Sequence, residues 1–226
     1  MKASPIRCLV TAGPTREFFD PVRFLSNPSS GKMGFALARA AAAQGWHVDL
    51  VTGPVALPDP ENVQVQRVVT GAEMFDAVQG LFQQCDVLIM TAAIMDYRPK
   101  TVADHKIKKF ELEMVIEMEP VVDVLATVAK DKQHQLIVGF AAETNNLEEY
   151  ALKKLEVKNA DYIVANSIGG EASAFERDDN SVIVFCRDGR RLPMGPLAKE
   201  HLAMELIELF ARDLPSSGST CRSTPS

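Results

Sequence analysis

Residues 135–165 read QLIVGFAAETNNLEEYALKKLEVKNADYIVA. Gln135–Phe140 is an apolar run of strand length, Leu147–Val157 an amphipathic helical stretch, and Asp161–Ala165 a second short apolar run. A strand, a helix and a strand in that order form a βαβ unit, whose two strands lie parallel in one sheet. The same rhythm extends toward the N-terminus. Ile6–Ala12 reads as a strand, Ser30–Gln44 as an alanine-rich helix ending at Gly45, and His47–Thr52 as a strand closed by Gly53-Pro54. Val63–Val69 is a shorter strand, Gly71–Gln84 a helix, Asp86–Ala93 a fully buried strand and Pro120–Lys130 a helix. Uniformly apolar strands between helices belong in a parallel sheet covered on both faces. The expected architecture is a Rossmann-like three-layer α/β fold, mostly parallel, with a small β-hairpin or mixed region.

That mixed region comes from two segments that break the rhythm. From Glu111 to Glu119, glutamates alternate with Leu112, Met114, Ile116 and Met118, the pattern of a strand with one wet face. Ser181–Arg187, Asp188-Gly189 and Arg190–Pro193 read as a hairpin with a tight turn. A last amphipathic helix covers Leu197–Arg212. Ten of the twelve residues Pro215–Ser226 are Ser, Thr, Pro or Gly, a composition that cannot bury a core. The expectation is one domain over residues 1–212 and a disordered tail over 213–226.

Composition removes several classes of function. The chain has 226 residues, a net charge of −6, 46% hydrophobic and 24% charged residues, ordinary for a globular protein. No apolar run approaches the roughly 18–20 residues of a membrane span, and the first ten residues lack the long apolar stretch of a signal peptide. An acidic chain is a poor binder of nucleic acid. Cys8, Cys85, Cys186 and Cys221 are far apart and form no zinc spacing, which fits free thiols in a reducing cytoplasm. The four histidines are equally scattered, so neither a metal cluster nor a Ser/His/Asp triad is suggested, and no metal ligands are assigned.

Ligands of open parallel sheets bind beyond the carboxyl ends of the strands. After the first strand comes TAGPTRE at 11–17, then a long loop to SNPSSGKMG at 26–34. It ends at a helix start with Ser29 and Ser30 as candidate caps and a glycine that allows close approach, equipment suited to an anion. The phosphate fingerprints GxxxxGK[ST] and GxGxxG are both absent there. After Ala93, residues 98–109 hold five Lys or Arg against one Asp. A local positive patch in an acidic protein suits a small anionic ligand. After Phe140 come Glu143, Thr144, Asn145 and Asn146, and Lys154 and Lys158 follow at i, i+4 on the next helix.

Taken together, TAGPTRE, DPVRF at 20–24, SNPSSGKMG, TAAIMDYRP at 91–99, KIKK at 106–109 and GFAAETN at 139–145 closely resemble phosphopantothenoylcysteine synthetase. The resemblance runs in order from about residue 6 to about 212. It implies a ligase of coenzyme A biosynthesis that joins 4′-phosphopantothenate to L-cysteine through an acyl-nucleotidyl intermediate. Bacterial members use CTP and eukaryotic ones ATP. The KIKK and SSGKMGFA stretches look bacterial, so CTP is expected, with Mg2+ accompanying it. The resemblance places Asn27 and Arg23 on the acyl-nucleotidyl intermediate and Lys106 on the triphosphate. It places Met90, Thr91, Ala92, Ala93 and Asp96 at the cytidine, with Phe140, Lys154 and Lys158 as further nucleotide contacts. It also implies a homodimer with sites completed near the interface.

Elementary electrostatics agrees with that chemistry. A carboxylate must approach a triphosphate, and cations must offset their repulsion; one unit charge pair at ~4 Å and an effective dielectric near 20 is worth roughly 4 kcal/mol. No covalent nucleophile is required, which accounts for the missing triad. Where bacterial members often read Asn-Pro-Asp-Ile before the helix, this chain has Glu119-Pro120-Val121-Val122-Asp123; the resemblance places Pro120, Val121, Val122 and Asp123 by the nucleotide, with backbone contacts expected in place of the lost polar side chains. The flavin-dependent decarboxylase that bacterial members carry N-terminally is expected on a separate chain. Two other classes compete: an NAD(P)-dependent oxidoreductase, which lacks its fingerprint and a Tyr-x-x-x-Lys, and a non-catalytic binding module, against which Asn27 and Lys106 argue.

Overall fold

The computed structural model describes residues 4–109, 114–143, 146–167 and 179–214. Its centre is an eight-stranded sheet. β1 (Arg7–Ala12) pairs in parallel with β4 (His47–Thr52) on one side and β6 (Val87–Met90) on the other. β4 continues to β5 (Val63–Arg67), and β6 to β9 (Leu136–Glu143) and β10 (Tyr162–Ser167), all parallel. β11 (Asp179–Cys186) and β12 (Arg191–Ala198) close that edge antiparallel, joined through Asp188-Gly189 as the hairpin pattern requires. The order β12-β11-β10-β9-β6-β1-β4-β5 leaves β1 between β6 and β4, where consecutive crossovers diverge.

Both faces of the sheet are covered. α1 (Lys32–Ala43) and α5 (Lys199–Asp213) pack on one face, where Phe35, Leu202, Leu206 and Phe210 meet Cys8, Val10 and Ile89. α2 (Gly71–Phe82), α3 (Val124–Val128) and α4 (Leu147–Val157) cover the other, where Met74, Val78, Leu125 and Leu155 meet Leu9, Leu88 and Ile137. Small alanines on α1 let that helix lie close to the strands. At the start of α2, Thr70 Oγ1 accepts from Glu73 N at 3.2 Å while Glu73 Oε2 accepts from Val69 N at 2.7 Å, so side chains satisfy two backbone donors that the entry into the helix leaves open.

Several expectations need correction. Within Glu111–Glu119, residues 114–117 form no strand, and Met114 and Val115 are both exposed, Val115 at 89%; an alternating pattern makes a strand only where a partner edge is available. Only β8 (Met118–Pro120) pairs, with β7 (Tyr97–Pro99). The helix expected from Pro120 starts at Val124, because the Asp123 carboxylate caps it, accepting from Ala126 N at 2.9 Å. Neither Ser29 nor Ser30 is the cap of α1: that position is Gly31, at φ 73°, with no side-chain cap. A small hairpin of β2 (Arg16–Phe18) and β3 (Phe24–Ser26) was not legible in the sequence. Glu111–Glu113, Thr144, Asn145 and the tail at 215–226 lie outside the described residues. Among the described residues, no helix is long and apolar enough to cross a membrane.

Candidate active site

The carboxyl end of β6 is tied to the loop that follows β1. Thr91 N and Oγ1 both donate to Thr11 O, at 3.2 and 2.5 Å, and Ala92 N donates to Thr11 Oγ1 at 3.2 Å. Ala93 N donates to Gly13 O at 2.9 Å, and Met95 N to Thr15 Oγ1 at 3.1 Å. Asn27 completes the web: its Nδ2 donates to Ala93 O and to Ile94 O, each at 3.2 Å. Thr11 and Thr15 are fully buried, so this web holds the backbone of 91–95 in one shape.

Two adjoining cavities flank that backbone. One, of about 280 Å³, is lined by Met90, Ala92, Ala93, Asp96, Val121, Val122, Asp123, Phe140, Lys154 and Lys158, among others. These residues come from four separate stretches of sequence, and all belong to the set expected at the nucleotide. Val121 N donates to Asp96 O at 2.8 Å, which fixes one wall of the cavity. Asp123 pairs with Lys158 at 2.5 Å while capping α3, so an anion reaching Lys158 competes with that carboxylate.

The other cavity, of about 230 Å³, shares Ala92, Ala93 and Phe140 and opens over the first turn of α1. Thr91 lines it rather than the first. Gly31 at the helix start and the first-turn N–H groups of Met33 and Gly34, which lack intrahelical acceptors, face an anion favourably. Gly34 is there because nothing larger fits: an added Cβ would lie 2.5 Å from Ala12 Cβ and 2.5 Å from Thr91 Oγ1. Sequence reading missed three polar residues of this cavity, Asn166, Asn180 and Lys199. Asn166 follows an apolar strand and was open to discovery by the rule that ligands sit at strand ends. Asn180 and Lys199 arrive only through the packing of β11 and α5.

Asn27, Arg23, Lys106 and Pro120 line neither cavity; Asn27 reaches them only through the Ala93 and Ile94 carbonyls it holds. Pro120 ends β8 and is exposed. Lys106 sits in an exposed loop beside Ile107, and Arg23 Nη1 donates to Ile107 O at 3.1 Å. Arg23 and the backbone next to Lys106 are held by Asp20, whose fully buried carboxylate accepts from Val22 N, Arg23 N and Ile107 N. Burial alone would raise the Asp20 carboxyl, but those three backbone donors and the Arg23 guanidinium outweigh it and hold it below the ordinary carboxylate range.

Residues 4–214 match the family model described as the DNA/pantothenate metabolism flavoprotein C-terminal domain. The chain belongs to this family. The family's coenzyme A biosynthesis bifunctional protein CoaBC is 43% identical over 204 residues in Bacillus subtilis (strain 168) and 47% identical over 206 residues in Escherichia coli (strain K12). Those alignments cover 90% and 89% of this chain, which spans about half (50%) of the length of each relative. The crystal structure of the C-terminal domain of a CoaBC superposes with a TM-score of 0.79 at 44% identity, covering 92% of this chain and 94% of that one. A Cab2 mutant in complex with phosphopantothenate-cysteine shares the fold at TM-score 0.75 and 17% identity, covering 92% of this chain and 86% of that one.

Among the described residues, all three thiols are buried. Burial pushes the Cys85 thiol up to about 12 and the Cys186 thiol to about 11, and holds Cys8 well above its ordinary value. Among the described residues, no group of three or more His, Cys, Asp or Glu is placed to hold a metal ion.

Proposed function

We propose that residues 1–212 form a phosphopantothenate–cysteine ligase that uses CTP. The observation that carries this reading is the convergence of four separated sequence stretches on one cavity at the ends of β6 and β9, beside a second cavity over a helix N-terminus. Two adjoining pockets that share Ala92, Ala93 and Phe140 suit two reactants that must meet. The nucleotide takes the pocket of Lys154 and Lys158, and the α1 cradle takes an anionic group of the other reactant.

In the first step a carboxylate oxygen of 4′-phosphopantothenate attacks the α-phosphorus of CTP. The bond to the β-phosphate breaks and diphosphate leaves. In the second, the cysteine amine attacks the acyl carbon, the acyl–oxygen bond breaks, CMP leaves and the amine loses a proton. The chain supplies positioning and charge: Lys154, Lys158 and Lys106 offset the repulsion between the anions, and the 91–95 backbone keeps them in line. Both N–H groups of Asn27 are committed to Ala93 O and Ile94 O. Its Oδ1 is then the atom that meets the incoming amine. Mg2+ is read as entering with the triphosphate, where it would offset part of the substrate's negative charge.

We further read the enzyme as a cytoplasmic homodimer whose product feeds a flavin-dependent decarboxylase. Three buried free thiols support a reducing compartment. Val22, Phe24, Tyr97, Val102, Met114 and Val115, all exposed apolar side chains, favour a second copy covering the hairpin and the loops beside it, where Arg23 and Lys106 lie. The deciding experiment measures diphosphate release with CTP or ATP, in the presence of 4′-phosphopantothenate and cysteine. CTP turnover well above ATP turnover is expected. Faster turnover with ATP would transfer the specificity to the adenine nucleotide, and no release with either would end the ligase reading.

A further inference from the structure

We infer that Asp20 is a positioning residue that fastens Arg23 and the Lys106 loop into a single unit. The existence of that unit rests on hydrogen bonds; its use rests on the ligase reading above. Asp20 Oδ1 accepts from Val22 N and Arg23 N, each at 2.8 Å, which closes the turn at 20–23. Its Oδ2 accepts from Ile107 N at 3.1 Å and from Arg23 Nη1 at 3.3 Å. The same guanidinium nitrogen donates to Ile107 O, 84 positions away, at 3.1 Å. Phe19 O, accepting from Ala103 N at 3.1 Å, holds the loop on the hairpin a second time.

This arrangement needs a carboxylate. An ionised carboxyl offers about four acceptor sites on two oxygens, and four donors use them here. An amide in the same place has one acceptor oxygen, so one side of the clamp must face an N–H group instead. The charge matters as well. Lys106, Lys108 and Lys109 lie exposed on one short loop, and Arg23 on the hairpin turn bonds that loop at Ile107 O, so like charges there push the loop away from the hairpin. A buried counter-charge on Asp20 offsets that repulsion and leaves the Arg23 side chain 40% exposed for an anion. Asp20 lines neither of the two cavities. It acts through Arg23, whose amide and guanidinium it holds, and through Lys106, whose neighbour Ile107 it holds.

The clamp has a readout that needs no substrate. In Asp20→Asn, the Ile107 amide should exchange its hydrogen at least about tenfold faster than in the wild type, because the protecting acceptor is weakened. In kinetics with CTP, KM for CTP should rise by about tenfold with kcat changed by less than about threefold. The losses in Asp20→Asn and Lys106→Gln should not multiply, since both remove the same lysine from its place. Ile107→Pro approaches the bond from the other side: it deletes the donor and leaves the carboxylate and its turn intact. It should reproduce the KM effect, and it keeps the question open to refutation if Asp20→Asn does not fold. Unchanged Ile107 exchange in Asp20→Asn, a KM for CTP unmoved by either variant, or fully multiplicative losses with Lys106→Gln would each overturn the inference. If the wild type releases no diphosphate, the ligase reading fails, and the exchange of Ile107 still decides whether the clamp exists.

Discussion

Replacing Gly34 by alanine should destabilise the protein, although alanine is the better helix former. Gly34 is the third residue of α1, and helix propensity favours the substitution by at most ~1 kcal/mol. The new Cβ, however, would stand 2.5 Å from both Ala12 Cβ and Thr91 Oγ1, and 3.1 Å from Thr11 O. Neither close neighbour is the far end of a flexible chain. Ala12 Cβ is rigid on β1, and Thr91 Oγ1 is held by its hydrogen bond to Thr11 O at 2.5 Å. Ordinary carbon contacts are ~3.5–4.0 Å, so α1 must back away by roughly 1 Å. Overpacking of this kind costs ~1–3 kcal/mol, and two simultaneous clashes put it at the upper end. The net loss is ~1–2 kcal/mol, which in a domain of this size lowers Tm by roughly 2–8 °C. Gly80 is the control. It lies in the exposed interior of α2 with nothing within 4 Å of an added Cβ, so Gly80→Ala should gain ~1 kcal/mol and raise Tm by roughly 2–4 °C. Thermal unfolding of both variants followed by circular dichroism measures the pair. A Gly34→Ala protein that melts at or above the wild type would refute the close approach of α1 to β1 and β6.

Three further outcomes are expected. Asn27→Ala should slow the amine step more than nucleotidyl transfer, so that diphosphate is still released and an acyl-cytidylate accumulates in mass spectra; equal loss in both half-reactions would remove Asn27 from that role. Lys106→Gln should lose at least about 2–3 kcal/mol of transition-state stabilisation in CTP turnover, far more than Lys109→Gln, and interchangeable lysines would reduce the loop to a diffuse attractor. In acid, the Asp213 carboxyl is held below the ordinary range, first by the Tyr162 hydroxyl and then by the Arg190 guanidinium, and Asp188 is lowered first by the Arg190 N–H. A lowered carboxyl contributes stability that is complete above its unfolded value near ~4 and is lost as pH falls through its folded value. Urea midpoints should therefore drop below about pH 4 in the wild type and drop less steeply in Asp213→Asn; parallel curves would show that this cluster contributes nothing to the acid transition.

The residues that pattern their own backbone were legible in the sequence. His47–Thr52 and Leu147–Val157 begin and end where the apolar rhythm places them, because strand and helix periods are properties of neighbours a few positions apart. The strand ends that carry the site followed from the same rhythm, since parallel strands place their carboxyl ends together. Glu111–Glu119 shows the limit. Glutamates recur in it at alternate positions, broken only by Val115, yet residues 114–117 form no strand, and Glu117 O meets Lys100 N only where the β7–β8 pair begins, because pairing is decided by whether an edge lies alongside. The same holds for what the site is made of. Asn27 reaches carbonyls 66 and 67 positions away, and Asp20 an amide 87 positions away, distances over which no local period carries information. Asn166, Asn180 and Lys199 join one cavity only because β10, β11 and α5 stack at the same end of the sheet. Sequence alone determined most strands of the central sheet, the helices that cover it and the parallel direction of the strands. The tertiary structure decided which side chains meet at the strand ends, because those contacts depend on the spatial order β9-β6-β1, which differs from the order of the chain.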